Sequence, residues 1–262
     1  MKRKRRKSSE LDYTKLSSID VYNYVVAGKL LKFPNGFVTP SNMKEILREV
    51  ILNRLKFTRE DICQKLSYSY LKKIHLGGSR KAFDTNIFKL ITYCFPEMNI
   101  KYWELNKVQN SFWENENNRK EFMLWLAEKE SIDVTSIDSL KKIDARLIQK
   151  YGGSKPLKFG GGLYSLILLI AKVEVKEWQV IKMRVWTEAK VKAAVKWLVE
   201  EQLKWTHEDV VNKISAKIFY EYDLGGLLSK YCDHSPIRAL QVAYPGEYTK
   251  VRNSRPEYLR KK

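Results

Sequence analysis

The sequence predicts an all-α chain built from three tandem helix-turn-helix-like units, and three observations carry that prediction. Leu55-Lys-Phe-Thr-Arg-Glu-Asp-Ile62 returns as Leu203-Lys-Trp-Thr-His-Glu-Asp-Val210, 148 residues on. The agreement runs ungapped through Lys65 and Lys213, Ser67 and Ser215, and Leu76-Gly77-Gly78 and Leu224-Gly225-Gly226. A middle copy fills the interval: Ile100-Lys-Tyr-Trp103 through Val108 reads again as Val175-Lys-Glu-Trp178 through Met183, and Phe37, Trp113 and Trp186 stand 76 and 73 residues apart. Apolar residues recur at helical rather than alternating spacing. These marks divide the chain into a basic arm and leading helix (1–32), units 33–108, 109–182 and 183–250, and a basic tail (251–262).

Each unit opens with a helix whose apolar stripe is Met43, Ile46, Leu47, Val50 and Ile51 in the first copy and Val191, Ala194, Val195 and Leu198 in the third. Phe122, Trp125 and Leu126 give the middle copy the same face, Trp125 corresponding to Trp197. Thr39 caps the first helix, and Pro40 suits its first turn, where a missing N–H costs nothing. A second helix starts at Thr58 and Thr206, each followed three residues on by an aspartate that approximates a capping box. Ile62, Leu66, Val210 and Ile214 face inward, and Ser67 and Ser215 cap a short third helix, Tyr68 to Ile74 and Ala216 to Tyr222.

The glycine pairs Gly77-Gly78, Gly152-Gly153 and Gly225-Gly226 are expected to stop that helix by supplying left-handed backbone. In the middle copy Ser154 to Gly162 reads as a longer, flexible loop. A closing helix carries Ile87, Leu90, Ile91 and Cys94, or Ile237, Leu240 and Ala243, and ends at Phe95-Pro96 and Tyr244-Pro245. Its middle counterpart, Leu163 to Ala171, is apolar on nearly every side, as a covered central unit requires. The recurring tryptophans 103, 113, 125, 178, 186 and 197 read as core rather than base-stacking platforms.

Charge narrows the function. Among 262 residues, 44% apolar and 12% aromatic, Lys plus Arg outnumber Asp plus Glu by 49 to 30, and a surplus of +19 points to a polyanion, nucleic acid before membrane. No run approaches a membrane span, and a polar Ser8-Ser9-Glu10 stretch stands where a secretory leader would carry its apolar core. Cys63, Cys94 and Cys232 lack CxxC spacing, which argues against a disulfide framework or zinc site and fits a reducing, nucleoid-associated cytoplasmic location.

Three groups of side chains are candidates for nucleic-acid contact. Lys2, Arg3, Lys4, Arg5, Arg6 and Lys7 form an arm suited to tracking phosphates, and Arg255, Arg260, Lys261 and Lys262 repeat that chemistry at the far end. On the third helices, Ser69, Tyr70, Lys72 and Lys73, with Arg146, Gln149 and Lys150 and then Lys217 and Tyr220, are types that reach base edges. After the glycines, Arg80, Lys81, Lys155 and Lys158 place cations beside flexible backbone N–H groups.

Catalysis has little to stand on. There is no P-loop, GxSxG or HExxH, and Cys232-Asp-His234 has no second ligand pair. Glu60-Asp61 and Glu208-Asp209 are explained by the helix dipole, while His75 and His207 align with Asp223 and Arg59 and so fall outside the repeated framework. No catalytic residue, cofactor or metal is expected.

Phe33-Pro-Asn-Gly-Phe37, then Thr-x-Glu-Asp-Ile, Leu-Gly-Gly and Ala243-Tyr244-Pro245 together resemble an uncharacterised repeat family of Bacillus-type bacteria and their phages. The pattern is also similar to helix-turn-helix modules that accompany some homing endonucleases, though the unit here is longer and no nuclease motif is present. That second resemblance implies DNA binding. The resulting expectation is a non-catalytic binder of double-stranded DNA, plausible as a bacterial or phage regulator, with an RNA-binding array or a protein-interaction scaffold as alternatives and a recombinase or nuclease last.

Overall fold

The computed structural model describes residues 15–183 and 185–248, and every regular element among them is helical. The chain divides into two compact units, one through Gln109 and one from Asn110.

The first unit holds α1 (Ser18–Val26), α2 (Pro40–Leu47, continuing as a π-helical stretch, Arg48–Arg54), α3 (Arg59–Lys65), α4 (Tyr68–Lys73), α5 (Ser79–Ala82) and α6 (Ile87–Cys94). Its starts are made by side chains. Thr39 accepts from the Asn42 amide at 3.2 Å with Pro40 in the first turn, and Ser67 accepts from the Tyr70 amide at 3.2 Å. Thr58 and Asp61 close a reciprocal box: the Asp61 amide donates to the Thr58 hydroxyl at 3.2 Å and the Thr58 amide to the Asp61 carboxylate at 3.0 Å. Against these helices α2 lies across α1 and α6, burying Met43, Ile46, Leu47 and Ile51 with Ile62, Leu71, Leu76, Leu90, Ile91 and Cys94. Each such side chain contributes about 1.5–3 kcal/mol of transfer free energy.

The second unit runs through α7 (Asn110–Glu114), α8 (Glu116–Lys129), α9 (Ile137–Leu140), α10 (Ala145–Gly152), α11 (Lys155–Phe159), α12 (Leu163–Leu168) and α13 (Glu177–Val180). It continues with α14 (Glu188–Lys196, extended by the π-helical Trp197–Leu203), α15 (His207–Lys213), α16 (Ala216–Glu221), α17 (Gly225–Tyr231) and α18 (Pro236–Ala243). Here α14 packs on α18 as α2 packs on α6, and α8 packs on α12. Trp113 is fully buried, edge-on to Phe122 at 5.2 Å, and Trp186 and Trp197 are buried, as is Trp103 in the first unit. Trp125 and Trp178 are half-buried, the latter 5.8 Å from Trp197. The tryptophans are therefore core or core-edge residues.

Left-handed backbone occurs at Gly28, Gly36, Lys56, His75, Asp84, Thr85 and Asn99 in the first unit and at Ser131, Gly153, Gly161, Gly162, Lys204, Asp223, Asp233, His234 and Gly246 in the second, with Lys56 and His75 answered 148 residues on by Lys204 and Asp223. Several close Schellman-type helix ends. The Leu76 amide donates to the Leu71 carbonyl at 2.7 Å past His75, and the Leu224 amide to the Phe219 carbonyl at 2.7 Å past Asp223.

Three expectations need correction. Gly77, Gly78, Gly225 and Gly226 do not adopt positive φ; His75 and Asp223 supply the left-handed turn, so that position does belong to the repeated backbone although its side chain varies. What glycine provides at two of these places is close packing. A Cβ on Gly77 would stand 3.3 Å from the Lys72 Cα, and one on Gly225 would stand 2.3 Å from the Tyr220 ring. Only the middle copy follows the expected logic, with Gly153 at φ +67 ending α10. The segment Ser154 to Gly162 is likewise not a long loop, since most of it forms α11. The closing helix α12 is also shorter and less enclosed than expected: it stops at Leu168, which is itself exposed.

Candidate nucleic-acid interface

The short helices α4, α10 and α16 each bury one residue, Leu71, Ile148 and Phe219, and that anchor decides which side faces out. Residues two before and one and two after the anchor then share a face, being three and four apart. On α4 these are Ser69, Lys72 and Lys73; on α10, Arg146, Gln149 and Lys150; on α16, Lys217, Tyr220 and Glu221, and all nine are exposed. Tyr70, proposed from sequence as a reader, turns toward the core and packs its ring 5.5 Å from Phe57.

The three faces differ in charge. Lys72 and Lys73 make no ion pair among the described residues, and neither does Arg146. Lys150 stands 3.6 Å from Glu130 and 4.6 Å from the Tyr151 ring, so its charge is partly compensated. On α16, Lys217 and Glu221 pair at 3.7 Å and cancel, while the Tyr220 ring lies against Gly225.

After the glycines, Arg80 and Lys81 are exposed on α5, with Arg80 5.8 Å from the Tyr68 ring. The backbone there is not the flexible donor set expected from sequence. The Ser79, Arg80 and Lys81 amides donate to Leu76, Gly77 and Gly78 at 3.1, 3.4 and 3.2 Å, and the buried Ser79 hydroxyl donates to the Leu76 carbonyl at 2.7 Å. Any phosphate contact here comes from side chains. Lys155 is half-buried on α11 and Lys158 is exposed beside Phe159. The arm Lys2 to Lys7 and the tail cations Arg255, Arg260, Lys261 and Lys262 lie outside the described residues. By sequence, residues 1–14 and 249–262 hold 12 of the 49 Lys and Arg and 3 of the 30 Asp and Glu, so these segments carry +9 of the +19 surplus.

Sequence reasoning missed one cluster. Lys129 lies 4.8 Å from the Trp125 ring and 4.7 Å from Tyr151, which Lys150 also approaches, so a cationic and aromatic patch forms beside the outer face of α10. The signal was present in Trp125 and Lys129, four apart on α8.

The resolved titration shifts trace to local bonds and burial. The Lys65 ammonium and the Thr58 bonds hold Asp61 down to about 2, and Lys213 with Thr206 does the same for Asp209. Burial pushes the Cys94 thiol up to about 12 and raises Cys63 and Cys232, the reverse of what a nucleophilic thiolate requires. His207 stacks on Tyr248 at 4.6 Å. No helix among the described residues is long and apolar enough to cross a membrane.

A family model described as "Protein of unknown function (DUF4046)" matches residues 18–100 and 178–248, more than half of the chain. No curated protein and no solved structure matches it.

Proposed function

This chain belongs to the DUF4046 family, and we propose that it is a non-catalytic binder of double-stranded DNA built from three helix-turn-helix-like units, acting as a bacterial or phage regulator. The observation that carries the reading is that the outer face of α4 in the first unit and the outer face of α10 in the second each expose cations, Lys72 with Lys73 and Arg146, without acidic partners among the described residues. Cations left uncompensated repel one another, and a polyanion relieves that repulsion while releasing counterions. The repeat description is supported by the left-handed residues Lys56 and His75, which return in register at Lys204 and Asp223, and by the placement of the family match over the first and third copies. Helices α3 and α4 are joined by two extended residues, Leu66 and Ser67, and α15 and α16 by Ile214 and Ser215, tighter than the usual three- or four-residue turn, whereas Lys141 to Asp144 separate α9 from α10.

In this reading each unit makes its own contacts: Lys72 and Lys73 in the first, and Arg146 and Gln149 in the second, reach base edges, Arg80 and Lys81, or Lys155 and Lys158, meet phosphates, and the terminal cations supply affinity without sequence preference. The third copy, its face neutralised, packs rather than reads. The test is an anisotropy titration of the full chain against duplex DNA, single strands and structured RNA at two salt concentrations. Duplex should bind tightest, and its affinity should fall steeply as salt rises. Preference for structured RNA would assign the faces to shape recognition of RNA instead, and no salt-dependent binding to any of the three would remove the reading.

A further inference from the structure

Within the second compact unit a cavity of about 550 Å³ is walled in part by Trp178 and Trp186, with Lys141, Lys182, Lys230 and Asp223 around it. That volume lies inside the roughly 300–1,000 Å³ range of ligand pockets. Its polar groups are unbalanced. The indole N–H groups of Trp178 and Trp186 meet no acceptor among the described residues, and Trp186 is only 6% exposed. Lys230 donates to the Met183 carbonyl at 2.8 Å, Lys141 is held by Asp223 at 2.7 Å and Asp138 at 3.1 Å, and Lys182 is exposed without an ion pair among the described residues. Lys141 is compensated by its two aspartates, so Lys182 and Lys230 leave the lining positive, and its two indole N–H groups are donors without an acceptor among the described residues.

The same place is different in the first copy. A Cβ on Gly226 would stand 3.6 Å from the Trp186 indole nitrogen, whereas one on Gly78, 148 residues earlier, would stand 3.8 Å from the Val38 Cγ2. In the 148-residue register Val38, and not Phe37 as the spacing of the unit-opening aromatics suggested, is the counterpart of Trp186; valine packs there with nothing to satisfy, whereas the tryptophan buries a donor. Trp113 buries an indole N–H in the same way inside the core, so what sets this place apart is that two such indoles line a cavity beside Lys182 and Lys230.

We propose that this cavity binds a small anion carried on a flat, acceptor-bearing ring, the chemistry of a nucleoside monophosphate. Lys182 and Lys230 face its anionic oxygens, and the indoles of Trp178 and Trp186 offer flat walls and donors to its ring. The site is independent of the DNA reading and stands or falls by its own titration.

The full chain is titrated with adenosine 5′-monophosphate, adenosine and inorganic phosphate, following tryptophan emission and heat. The monophosphate should saturate below about 1 mM, with adenosine and phosphate each about tenfold weaker or more. Gly226→Ala adds a methyl in front of the Trp186 N–H at a helical position without positive φ, where alanine is favoured. It should keep the melting temperature and lose about tenfold in affinity. Lys182→Ala, on an exposed side chain, should weaken the monophosphate but not adenosine. Displacement by a short 5′-phosphorylated strand would assign the site to a strand end; failure of the strand to displace would assign it to the free nucleotide. The proposal is overturned if neither monophosphate nor strand end gives a saturable signal, or if both variants bind as the parent does.

Discussion

The stretches 40–95 and 188–244 share one backbone and present two surfaces. Both run a capped helix into a π-helical stretch, close a Thr-Asp box, turn through left-handed residues at 56 and 75 or 204 and 223, and return on a closing helix. Inside, substitutions exchange volume: Ile46 becomes Ala194 while Leu71 becomes Phe219, all four fully buried. Outside, Lys72 and Lys73 become Tyr220 and Glu221, and an uncompensated face becomes a neutral one. The fold tolerates either surface, so the charge on α4 is not there to hold the helices together.

The largest expected effects test the equivalence of the two cores. Phe219→Ala should cost about 3–5 kcal/mol and Leu71→Ala about 2–5 kcal/mol in denaturant unfolding. A loss below about 1 kcal/mol at either position would mean that the two anchors do not do the same job. Next come the boxes. Thr58→Ala and Thr206→Ala should each lose about 1 kcal/mol, and by similar amounts, because both caps satisfy the same amide donors.

Acid titration examines the same boxes. The Asp61 and Asp209 carboxyls lie at about 2 in the folded chain, whereas an unfolded aspartate lies near ~3.9. Their stabilisation is therefore present above pH ~4 and is lost as pH falls through about 2. Asp61→Asn and Asp209→Asn should flatten the acid limb of helix loss followed by circular dichroism; an unchanged limb would show that other groups govern it.

The smallest effect separates the two left-handed turns. His75→Gly removes a side chain from φ +62 and should stabilise by about 0.5–1 kcal/mol. Asp223→Gly relieves the same conformation but also removes the partner of Lys141, so its gain should be smaller. Equal gains in thermal unfolding would mean that the ion pair contributes nothing.

Much of this backbone was legible in the sequence because its signals are local. Thr39 with Pro40, Thr58 with Asp61 and the stripe from Met43 to Ile51 each depend on residues within a turn or two. The helix ends were misread where the usual residue is absent: glycine is the ordinary left-handed stop, and here lysine, histidine or aspartate is held in that conformation by the flanking bonds. With the turn already made, Gly77 and Gly225 serve close approach, which spacing cannot reveal because it depends on what lies opposite. The site was legible as a face, through positions three and four apart, but not as a charge balance. Whether Lys217 is spent on Glu221, or Tyr70 on Phe57, is decided by rotamers rather than composition.

The central claim is that α4 and α10 read duplex DNA, and one measurement addresses it most directly. Lys72→Ala with Lys73→Ala, and separately Arg146→Ala with Gln149→Ala, are compared with the parent and with Lys217→Ala for the ratio of affinities between a selected duplex and a random duplex at one salt concentration. Base contacts specify while phosphate contacts position, so both double variants should lower the ratio by about tenfold and lower random-duplex affinity less, with Lys217→Ala leaving the ratio unchanged. If both double variants keep the parent's ratio, α4 and α10 are not readers.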